Sequence, residues 1–104
     1  MKNIAHHKKM ELCRQLAWDY SISVDDIAAL IRGEKESAGH YTQTDIFKKV
    51  LESYLWFTVL DLFTIDQIQE LLTDDLIKSL RMPSLRKKYA FIKKRLQETL
   101  PVTG

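Results

Sequence analysis

The sequence predicts an all-α fold, an irregular orthogonal bundle of about six or seven helices, several of them short. Three observations carry that prediction. Apolar residues recur at three- and four-residue steps through most of the 104 residues. Ser and Thr stand repeatedly just ahead of acidic or amide residues, the pattern of helix N-caps. No Asn-Gly or Asp-Gly hairpin signal and no sustained two-residue alternation occurs.

The first helix is expected over Ala5 to Tyr20, with Leu12, Leu16 and Tyr20 on one stripe, Cys13 and Ala17 beside it, and Trp18 off the stripe against another helix. Ser23 caps a second helix whose first turn holds Asp25 and Asp26, favourable at the positive helix end. Its apolar face is Ile27, Leu30 and Ile31, and Gly33 ends it. Residues Glu34 to Tyr41 read as the one clear loop. Thr44 is expected to cap a third helix carrying Phe47, Val50, Leu51 and Tyr54. Leu55 to Phe63 is apolar almost throughout and is expected to be a buried helix, since a lone strand would have no partner.

Thr64-Ile65-Asp66-Gln67 is a capping box opening a short helix with Ile68, Leu71 and Leu72 inside. Thr73 caps another, with Asp74 and Asp75 in its first turn and Leu76, Ile77 and Leu80 apolar; Met82-Pro83 breaks it. Ser84 is expected to cap the last helix. There Leu85, Tyr89, Ile92, Leu96 and Leu100 fall within roughly an 80° arc at about 100° per residue, and Pro101 closes it.

Composition is that of one globular domain over residues 1–104: 45% apolar, 29% charged, 3 Gly and 2 Pro. A chain of this length buries about two-thirds of its surface, enough for one core. No run of some 18 apolar residues predicts a membrane span. Basic residues near the N-terminus lack an apolar block behind them, and the single cysteine, Cys13, has no internal partner. The expectation is a cytoplasmic protein.

The net charge of +2 hides an asymmetry. Residues 1–77 hold 8 Lys and Arg against 13 Asp and Glu, a net of −5; residues 78–104 hold 8 against Glu98 alone, a net of +7. A basic element on an acidic body suits nucleic acid or an acidic protein surface. The alternative is that these cations only solvate a terminal helix. Opposite Leu85 lie Lys87 and Lys94, flanked by Arg86 and Lys93 on one side and Lys88 and Arg95 on the other. Phe91 falls among them. A large ring in a basic field is costly to hydrate unless a partner covers it, or unless it packs under a neighbouring helix. Arg86, Lys87, Lys88, Phe91, Lys93, Lys94 and Arg95 are the candidate binding residues.

No catalytic set emerges. His6 and His7 are adjacent and diverge on a helix, Cys13 lies six residues on, and His40 is distant, so no zinc spacing results. Around His40 no strand and no Gly-Lys-Ser/Thr run makes a phosphate loop, and no nucleophile stands at diagnostic spacing. The carboxylate pairs are accounted for as helix-end charges. Tyr54, Trp56, Phe57 and Phe63 read as core, because few polar groups converge with them. Ser23 to Tyr54 could mimic a helix-turn-helix, but the connection from Gly33 to Gln43 exceeds the usual three- or four-residue turn. No metal or cofactor is expected.

Trp18-Asp19-Tyr20, the run from Leu51 to Phe63, and Ser84-Leu85-Arg86-Lys87-Lys88-Tyr89-Ala90-Phe91 together resemble small bacterial α-helical proteins that accompany abortive-infection nucleotidyltransferase toxins on the antitoxin side. The enzymes' own Gly-Ser and paired-Asp signature is absent. The resemblance implies a non-enzymatic helical interaction module; the alternative from the residues is a nucleic-acid-binding regulator using the basic helix.

Overall fold

The computed structural model describes residues 2–99, with side chains for residues 9–98 apart from Asp19. Seven helices follow one another: α1 (Lys2–Tyr20), α2 (Val24–Arg32), α3 (Gln43–Ser53), α4 (Trp56–Leu62), α5 (Ile65–Leu71), α6 (Asp74–Ser79) and α7 (Pro83–Thr99). A two-stranded antiparallel hairpin, β1 (Ser37–Ala38) and β2 (Tyr41–Thr42), lies between α2 and α3. The expected Leu100 contact and the Pro101 stop lie outside the described residues, as do the side chains of His6 and His7.

Local cap chemistry sets most boundaries. The Ser23 hydroxyl accepts from the Asp26 amide at 3.0 Å. Gly33 ends α2 at φ 78°, and the Glu34 amide reaches back to the Ala29 carbonyl at 2.8 Å, satisfying an orphan carbonyl. Thr64 and Gln67 form the reciprocal box ahead of α5, and Thr73 caps α6. Two glutamines fasten the far end of α2: the Ile31 carbonyl accepts from Gln43 Nε2 at 3.1 Å and from Gln67 Nε2 at 2.8 Å. That joins α2 to α3 and α5 through one acceptor.

One cluster of buried side chains joins all seven helices, from Leu16 on α1 through Ile27, Ile46, Val59, Ile68 and Ile77 to Tyr89 on α7. Phe47 and Phe63 meet edge to face at 5.0 Å inside it.

Several expectations are corrected. The segment 34–41 contains a hairpin rather than a plain loop. Gly39, at φ 62°, turns the chain without a Cβ penalty, and Ala38 is buried. Tyr41 packs its ring against Tyr20 at 4.3 Å. The hairpin delivers Thr42 in extended conformation, so Thr42 and not Thr44 caps α3. Its hydroxyl accepts from the Asp45 amide at 3.3 Å, and its amide donates to Asp45 Oδ2 at 2.9 Å. Thr44 has no carboxylate or amide side chain three residues on.

Ser84 likewise lies inside α7 rather than capping it. Pro83 opens the helix, since its fixed φ suits the first turn and its missing N–H is no loss there. α6 stops at Ser79, ahead of Met82-Pro83, where the Ser79 hydroxyl donates to the Leu76 carbonyl at 2.6 Å.

Helix α4 is helical as expected but buried on one side only. Val59 and Leu62 are inside, while Leu55 and Phe57 are 74% and 75% exposed. Phe57 is therefore not core. Trp18 is 86% exposed and, among the described residues, stands outside the packed cluster. It sits about 200° around α1 from the buried Leu16.

Candidate interaction surface on the last helix

Helix α7 is anchored by a narrow stripe. Tyr89 is fully buried, and Leu85, Ile92 and Leu96 are half-buried against the core. The Tyr89 ring meets Trp56 of α4 at 6.1 Å, and Lys88 Nζ lies 5.4 Å from its centroid. The Tyr89 hydroxyl has no hydrogen-bond partner among the described residues, and burial pushes its pKa up.

With that stripe inward, Lys87, Lys88 and Lys94 are exposed, and Phe91 stands among them 64% exposed. The two readings of Phe91 are thereby separated: it does not pack under a neighbouring helix. The seven candidate residues do not all lie on one face. Lys93 turns toward α6 and donates to Asp74 Oδ1 at 2.7 Å, which holds the Asp74 carboxyl below the usual carboxylate range, with a weaker contribution from Lys78. Lys93 is therefore an intramolecular tether. Arg86 is half-buried and lines the groove beside α6.

Beside α7, a shallow groove of about 330 Å³ runs along α6, lined by Asp74, Ile77, Lys78, Arg86, Lys87 and Ala90. Lys78 was not among the residues singled out from sequence. Its position four residues after Asp74, on α6 rather than α7, placed it with a different helix, although it belongs to the basic quarter of the chain. Another basic residue of that quarter, Arg81, is held differently: its backbone amide donates to Glu52 Oε2 at 3.0 Å.

Elsewhere, several chemistry-bearing residues are held in local contacts. Asp26 accepts from Lys35 Nζ at 2.7 Å, a bond that lowers its carboxyl pKa. Arg32 forks onto Glu34 at 2.8 and 3.0 Å. Cys13 is buried, and burial pushes its thiol up against the opposing pull of Arg32 and Lys9. A protonated thiol is a weak nucleophile. His40 is exposed on the hairpin turn. Among the described residues no three His, Cys, Asp or Glu side chains form a metal-holding group, and no helix is long and apolar enough to cross a membrane.

Comparison with protein-family models, curated proteins and solved structures finds no match to this chain.

Proposed function

We propose that this chain is a non-enzymatic helical interaction module that engages an acidic protein surface through the outer face of α7. The observation that carries the reading is Phe91, 64% exposed with Lys87, Lys88 and Lys94 exposed around it. An aromatic anchor with a cationic rim suits an interface: the ring fills a pocket, and the cations around it steer the approach. An acidic protein suits this face better than a nucleic-acid duplex. A duplex keeps its bases stacked inside and presents phosphates to the cations, with no apolar surface to cover the exposed Phe91 ring at their centre. In keeping with the resemblance in its sequence, the partner class we propose is a toxin-like enzyme in the cytoplasm, with this chain on the antitoxin side.

Affinity capture with the tagged chain tests the proposal. Phe91→Ala should weaken capture about tenfold or more, the loss typical of an interface anchor. Replacing Lys87, Lys94 and Arg95 together with Ala should slow association and reduce its salt sensitivity. Unchanged capture by both variants overturns the reading. Capture that disappears on nuclease treatment assigns the face to nucleic acid instead.

A further inference from the structure

We infer that the groove between α6 and α7 receives an acidic, apolar-anchored segment of the partner, so that docking extends from the outer face of α7 onto α6. This rests on the reading of α7 as the docking face, and it adds the chemistry of the docking segment. The groove's floor is apolar, formed by Ile77 and the exposed Ala90. Ala90 is the smallest side chain on this side of α7, and it lets a visiting chain approach the helix closely. The walls carry Lys78 on α6 and Arg86 and Lys87 on α7.

The one acid at the groove, Asp74, is already bonded to Lys93 at 2.7 Å. Arg86 and Lys87 make no ion pair among the described residues. The lining is therefore cationic around an apolar strip. A segment that pairs leucine-like side chains with flanking carboxylates matches both parts at once. A phosphate backbone would satisfy the walls but leave the exposed Ala90, beside the edge of the buried Ile77, with nothing apolar to cover it. A neutral apolar segment would leave the cations desolvated without partners.

The test is an amide NMR titration of the full chain with a synthetic amphipathic peptide carrying Leu on one face and Glu along its flanks. Saturable shifts should centre on Ile77, Lys78 and Ala90. The same peptide with Lys in place of Glu should produce no saturable shifts. Ala90→Glu and Lys87→Glu should each weaken binding about tenfold or more with an unchanged melting midpoint. Three results overturn the inference: no saturable shift with the Glu peptide, shifts centred elsewhere, or equal binding of the Lys peptide. A short DNA duplex that shifts these amides and displaces the Glu peptide also overturns it, in favour of nucleic acid. The groove is distinguished from the parent reading by partner capture. If Phe91→Ala loses the partner while the groove variants keep it, only the groove assignment fails. If Phe91→Ala and the triple Ala variant keep it too, the reading of α7 fails.

Discussion

Replacing Tyr89 with Phe should stabilise the protein. Tyr89 is fully buried, and its hydroxyl finds no partner among the described residues. Leaving such a group unpaired costs about 1–3 kcal/mol. Deleting one oxygen opens a void smaller than a methyl group, a penalty under about 1 kcal/mol. The ring stays, and with it the Trp56 and Lys88 contacts. The net expectation is a gain of about 1 kcal/mol, read as a melting midpoint raised by about 5 °C for a domain of this size. Urea and thermal melts near pH 7 measure it. Alkaline melts give a second arm. The unfolded tyrosine ionises near pH 10, and burial raises the folded value. The native state then holds its proton longer than the unfolded state. Stability is unaffected below about pH 10 and falls as pH rises toward the folded value. Because Phe cannot ionise, the gap between variant and wild type should widen above about pH 10. A variant less stable than wild type by more than about 0.5 kcal/mol would refute the reasoning and show that the hydroxyl is hydrogen-bonded in solution.

Three further outcomes are expected. Gly33→Ala should cost about 1 kcal/mol in denaturant melts: a Cβ there meets only ordinary contact with Gln43 Nε2 at 3.5 Å, so the penalty comes from φ +78°. Leu96→Ala should cost about 1–2 kcal/mol, below the 2–5 kcal/mol of a fully buried leucine, because Leu96 is half-buried beside a cavity it shares with Gln69 and Leu72. Phe91→Ala should change stability by less than about 0.5 kcal/mol in the same melts, the range of surface substitutions.

What was legible in the sequence was what is local. Ser23, Thr64 and Thr73 act on amides three residues away, so their roles follow from spacing. Thr42 stands at the same three-residue spacing from Asp45, so its cap was equally local and Thr44 was the wrong choice; the hairpin before it was hidden because its strands are two residues long and its turn uses Gly39-His40 in place of the familiar dipeptides. Burial of α4 was misjudged for a related reason. Seven residues make about two turns, and with apolar side chains all round, periodicity cannot say which face is inward; only the packing of Val59 and Leu62 decides it. At the candidate site, the amphipathic stripe and the exposed cations followed from helical angles alone. The tether from Lys93 to Asp74 spans 19 residues of sequence, and the groove needs two helices to exist.

The distribution of charge over the helix starts supports a functional reading of α7. Helices α2, α3, α5 and α6 each combine a side-chain cap with at least one acid in the first turn. Those choices agree with the positive end of the helix dipole, each acid contributing about 0.3–1 kcal/mol. α7 has no acid in its first turn, and Arg86, Lys87 and Lys88 follow directly. Like charges crowded along one helix repel one another, and an exposed Phe91 adds a hydration penalty. Beyond the Lys93–Asp74 pair and the Lys88 contact with the Tyr89 ring, folding gains little from either feature, because the anchoring stripe of Leu85, Tyr89, Ile92 and Leu96 would be the same with neutral residues at the remaining outward positions. Helices α1 and α4 also lack an acid in the first turn, and Trp18 and Phe57 are exposed too, so what sets α7 apart is the combination of an exposed ring with a run of cations around it. Under the proposed reading, an acidic partner would remove both penalties at once, by neutralising the cations and covering the ring.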